Sequence, residues 1–174
     1  MNLKKIKKIC SFSVSKWHLV TMLAPYLSKE VENKQQICTY FETDMQDIIE
    51  EFLSKLTLNP QDKQELEYLN WHSNKECKYI QINELLNSIQ EQKIIFIVSG
   101  TKNYIEKVNM NINKVVRKNK IKKEITIINC YEVMQFNNNI KQILDTHDKI
   151  LNTSGEREIG EIFEDYRKSE QDAV

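Results

Sequence analysis

The chain has 174 residues, and its 25 Lys and Arg balance 25 Asp and Glu for a formal net charge of zero. A 40% hydrophobic share beside 29% charged residues excludes wholesale disorder. The length suffices for one domain that buries roughly two-thirds of its unfolded surface. No run reaches the roughly 18 apolar residues of a membrane span, and no signal-peptide core follows the basic start MNLKKIKKIC. The expectation is one cytoplasmic domain over residues 1–174, with an acidic tail that frays from about residue 168.

Three Gly and two Pro point to short connections rather than glycine-lined ligand loops. Cys10, Cys38, Cys77 and Cys130 form no CxxC and show no zinc-ligand spacing, so they read as small buried hydrophobes.

In chain order, Ile6 to Val14 is a strand, and Ser15 is placed to cap the helix that follows, since its hydroxyl can accept a first-turn amide. Val20, Leu23, Ala24, Leu27 and Val31 give that helix one apolar stripe, which Pro25 is expected to bend or break. Gln36 to Phe41 is a second strand. A helix capped by Thr43 or Asp44 runs to about Leu56 on Ile48, Ile49, Phe52 and Leu53. Asn59-Pro60 opens a further short helix. Leu66 to Trp71 reads either as a third strand or as the tail of that helix.

Ile80 to Gln90 has helical spacing. Ile94 to Val98 is a continuous apolar strand, as in a sheet covered on both faces. Thr101 to about Lys118 is a helix, Ile125 to Ile128 a strand, Asn138 to about Leu151 a helix, and Glu156 to Arg167 a last helical piece. Strands separated by helices predict a three-layer α/β/α sandwich with a mostly parallel central sheet, Rossmann-like in the broad sense. Strand order is not legible from this pattern.

Ligands of open parallel sheets bind beyond the carboxyl ends of the strands. That rule selects Ser13, Lys16, His18, Glu42, Ser99, Gly100, Thr101, Lys102 and Glu132 as ligand-binding candidates. Asp44, the Trp71–Ser73 stretch and Asn129–Tyr131 lie beside them. The SGTK stretch (99–102) is not a Walker loop, because it has one Gly and Asn103 stands where the hydroxyl residue belongs. Thr101 suits an N-cap, and one anion could rest against the amides there. The chain has no GxGxxG either.

Three His residues offer no HExxH or similar ligand pair. A Cys–His or Ser–His nucleophilic pair could arise only by folding, for example from His18 or His72 with Cys130. His147 reads as a structural residue within a helix. Glu42, Asp44 and Glu132 are the carboxylates best placed for a shared acidic site, but Asp44 also suits a cap. No metal is therefore assigned, and the cofactor stays open.

Lys102 to Lys123 holds eight Lys or Arg and one acid. Part of that excess suits the negative end of a helix dipole. Lys114, Arg117, Lys118, Lys120, Lys122 and Lys123 are nevertheless candidates for nucleic-acid backbone contact, without any motif for base readout.

The leading expectation is a non-enzymatic regulatory or binding domain that recognises an anionic small molecule or a protein partner. The alternatives are an enzyme acting on a phosphorylated or nucleotide-like substrate, and non-specific nucleic-acid binding. A homodimer through an exposed helix or edge strand is also compatible with the pattern.

Overall fold

A computed structural model of the chain describes residues 6–135 and 140–166. Six strands form one sheet in the order β2-β3-β4-β1-β5-β6: β1 Lys7–Ser13, β2 Gln36–Phe41, β3 Lys93–Ser99, β4 Glu124–Glu132, β5 Lys149–Asn152 and β6 Gly155–Arg157. All neighbours are parallel except the β5–β6 hairpin. The helices are α1 Lys16–Glu32, α2 Gln46–Lys55, α3 Pro60–Tyr68, α4 Tyr79–Ser88, α5 Lys102–Lys118, α6 Ile140–Asp145 and α7 Ile159–Ile162.

Strand alternation sends neighbouring side chains to opposite faces. Ile94, Phe96 and Val98 of β3 join the core under α4, α5 and α6, while Ile95 and Ile97 join the core under α1, α2 and α3. The molecule is therefore a three-layer α/β/α sandwich. Among the described residues no helix is long and apolar enough to cross a membrane.

Two open alternatives are decided by the structure, and two elements differ from the sequence expectation. Pro25 does not break α1, which is continuous from Lys16 to Glu32. The Pro25 side is exposed, and Leu23, Ala24 and Leu27 beside it are buried and hold the helix to the sheet. Leu66–Trp71 is not a strand: residues 66–68 are the tail of α3, the other reading of this stretch, and Trp71 is fully buried in the following loop. Its indole donates to Leu66 O at 2.8 Å and its ring stacks on Phe41.

The helix expected over 138–151 is instead α6 followed by β5, and residues 138–139 lie outside the described residues. Ile140, Ile143, Leu144, His147 and Ile150 do have helical spacing. The chain nevertheless leaves the helix at Asp145 to pair with the free edge of β1. Asp148 N donates to Lys8 O at 2.8 Å, and Lys8 N donates to Asp148 Oδ2 at 2.9 Å. Pairing with an edge supplies backbone partners that no local pattern announces. His147 thus lies in the α6–β5 turn, not in a helix.

The last helical piece is likewise replaced by β6 and the single turn α7. The tail expected to fray from about residue 168 lies outside the described residues.

Candidate functional site

Strand ends decide where polar side chains gather. The connections from β1 and β2 cross one face, into α1 and α2. Those from β3 and β4, which end between them, cross the other, into α5 and α6. Such divergence leaves a crevice at the carboxyl edge of a sheet. A cleft of about 480 Å³ opens there, bounded by the first turn of α1, the β2–α2 loop and the ends of β3 and β4.

Ser13, Lys16, Glu42, Ser99, Gly100, Thr101 and Glu132 all line it, so seven of the nine expected residues converge. Two do not. His18 turns back on its own helix start, where its Nδ1 accepts the Val14 amide at 3.2 Å. Lys102 points into a different groove, between α5 and α6.

Each helix start at the cleft has a local cause. Ser15 Oγ accepts the His18 amide at 3.1 Å and caps α1. Thr101 Oγ1 does the same for Tyr104 at 3.3 Å and caps α5. The Thr101 amide, however, donates to Glu42 Oε2 at 2.5 Å, and the Thr101 hydroxyl donates to Glu42 Oε1 at 3.2 Å. The place that SGTK offered to an outside anion is thus held by the protein's own carboxylate, which also suits the positive end of the helix dipole.

Gly100 allows this approach. A Cβ there would lie 2.5 Å from Glu42 Oε2, 2.6 Å from Glu42 Cβ and 2.8 Å from a Tyr104 ring carbon.

Two lysines also line the cleft. Lys16 Nζ donates to Asp44 O at 3.0 Å, and Lys75 reaches the cleft from the loop after α3. Sequence reasoning missed Lys75 because it follows no strand. The 69–78 loop runs alongside the end of β2 instead, with Asn74 N donating to Phe41 O at 2.7 Å and Tyr104 Oη to Asn74 O at 2.7 Å.

Asp44 is committed to local structure. Its Oδ1 accepts the Gln46 amide at 3.0 Å, and its Oδ2 meets His72 Nδ1 at 3.0 Å. The Gln46 amide and then His72 hold its carboxyl below the usual aspartate value.

Nucleophilic pairing is not built from the histidines named above. His72 sits with Asp44, His18 with Val14, and Cys130 lies 1% exposed in the core under α1–α3. Burial pushes all four thiols up, Cys77 to about 11 and Cys10 and Cys38 to about 12. They are therefore poor nucleophiles. Among the described residues no group of three or more His, Cys, Asp or Glu is arranged to hold a metal ion.

Asn129 and Tyr131 are also not beyond the last strand, since β4 extends to Glu132 and buries both under α5 and α6. In the basic segment, Lys114 and Lys118 lie over the Tyr79 ring at 5.3 and 5.9 Å, and Lys123 donates to Ile89 O. Arg117, Lys120 and Lys122 are exposed. Comparison with protein-family models and with curated protein sequences finds no match to the chain.

Proposed function

We propose that the chain is a ligand-binding α/β domain that takes a small anionic molecule in the cleft at the carboxyl edge of its sheet. The observation that carries this reading is the convergence of Ser13, Ser15, Lys16, Lys75 and Ser99 on one concavity of about 480 Å³. That volume lies within the range of small-molecule sites. Hydroxyl donors, two ammonium groups and the first turn of α1, which holds no acid, all favour negative charge in the cleft.

Glu42 is already spent on Thr101, so it closes the α5 side to an anion and leaves the α1 side as the seat. Binding is favoured over catalysis because the histidines and Cys130 are engaged or buried elsewhere.

Isothermal titration with pyrophosphate and with ribose 5-phosphate tests this. Saturable binding that weakens at least about tenfold in Lys16→Glu is expected. Binding unchanged by that reversal, or absent for both probes, would overturn it.

A further inference from the structure

The groove into which Lys102 turns has chemistry of its own. It lies between α5 and α6 on the other face of the sheet, encloses about 400 Å³, and does not share a lining residue with the cleft. Its floor is three polar side chains that are almost wholly buried: Asn129 at 2%, His147 at 3% and Asn109 at 6% exposure. Burying three such groups beneath an open cavity is costly unless each is satisfied.

Their bonding can be counted. Asn109 Nδ2 donates to Ile105 O at 2.8 Å and to Asn129 Oδ1 at 2.7 Å. Asn129 Nδ2 donates to Asn109 Oδ1 at 3.1 Å and to His147 Nε2 at 3.0 Å. His147 Nδ1 lies 2.6 Å from Ile143 O, which places the ring proton there and makes Nε2 the acceptor.

Every amide hydrogen of the two asparagines is thus used. Each Oδ1 accepts one bond and can accept a second. The asparagine part of the floor offers acceptors and no donors. A ligand that reaches it must bring hydrogen-bond donors, N–H or O–H.

The mouth has the opposite character. Lys102 Nζ is held loosely, 3.5 Å from Gln142 Oε1 and 3.8 Å from Glu106. Lys8 also lines the cavity, and burial lowers its pKa more than the charge of Asp148 restores it. Two ammonium groups against one lining carboxylate, Glu106, favour an anion in the groove. Between floor and mouth, Ile105 and Ile143 supply apolar walls.

We infer that this groove is a second ligand site, which takes an amino-bearing heterocycle joined to an anionic group. The donor edge of the heterocycle lies on Asn109 and Asn129, and its anion lies between Lys8 and Lys102. The site is independent of the cleft reading.

AMP is the test probe, since it carries an exocyclic amine and a phosphate. IMP replaces that amine with an acceptor, and adenosine lacks the anion. Titration of the full chain should show AMP bound at least about tenfold more tightly than IMP or adenosine. Lys102→Glu and Met110→Trp should each weaken AMP at least about tenfold. Met110 is on the rim and 62% exposed, so its replacement plugs the mouth without touching the core. A melting temperature equal to that of the parent chain confirms that both variants fold.

Because AMP carries the ribose 5-phosphate expected in the cleft, these titrations are run in the Lys16→Glu background, where AMP binding should persist and report this groove alone. AMP binding lost in Lys16→Glu, or undiminished there by Met110→Trp, would overturn the proposal. So would IMP bound as tightly as AMP, or no AMP binding at about 1 mM.

Discussion

Helices α1 and α5 are near twins with opposite electrostatic settings. Both have 17 residues, both follow a parallel strand, both start on a hydroxyl cap that accepts the amide three residues on, and neither has an acid in its first turn. At α5 the Glu42 carboxylate already occupies the approach to the helix. At α1 the same kind of approach faces the cleft beside Lys16, and the loop carrying Lys75 stands across from it. Two equal helix starts thus become one closed end and one open end. The difference comes from a residue 59 positions away in sequence from Thr101.

The sharpest way to break this comparison is at Gly100. Gly100→Ala places a methyl group against Glu42 Cβ and the Tyr104 ring, and overpacking of this kind costs about 1–3 kcal/mol. Urea unfolding should show that loss. Gly160→Ala, where an added Cβ meets nothing within 4 Å, should show none of it. Equal stability of the two variants would mean that Glu42 does not need the space.

Next in size, Thr101→Ala removes both the α5 cap and a bond to Glu42, while Ser15→Ala removes a cap alone. Each should cost about 0.5–2 kcal/mol in the same measurement, with Thr101 the larger.

Glu42→Gln should cost about 0.3–1 kcal/mol by removing charge from the α5 start. It should also strengthen pyrophosphate binding, because the cleft loses a negative group. A weaker pyrophosphate titration would show that Glu42 helps to hold the ligand rather than to close α5.

The smallest effect concerns pH. Asp44 has a folded pKa below its unfolded value, so its contribution is present above the ordinary aspartate pKa near 3.8 and fades as pH falls through the lowered value. Asp44→Asn should therefore flatten the acid limb of a plot of stability against pH, by lowering stability at neutral pH and leaving it nearly unchanged below the lowered pKa. An unaltered acid limb would remove Asp44 from the account.

Local patterns carried most of the fold and much of the cleft. The strand runs at 36–41 and 94–98, the caps Ser15 and Thr101, and the apolar stripes of α1, α2 and α5 were all legible, because each depends on neighbours within one turn or one strand. The rule that strand ends gather ligand groups then selected seven cleft residues without knowledge of strand order.

What failed to show in the sequence has one cause. β5 hides inside a helical spacing, since only the free edge of β1 makes Lys149–Asn152 a strand. Lys75 follows no strand, and it reaches the cleft only because its loop runs alongside β2. Asn129 looks like a residue beyond a strand until β4 extends past it and α5 and α6 cover it.

The sequence by itself determined the strands β1 to β4 and the helices between them, which hydroxyls start α1 and α5, and that the sheet is covered on both faces. Tertiary structure alone decided which of two equivalent helix starts stays open. It also brought Asn109, Asn129 and His147 together under one groove. Charge and hydrogen-bond partners come from residues that are distant in the chain, and their positions follow from strand order, which no local period encodes.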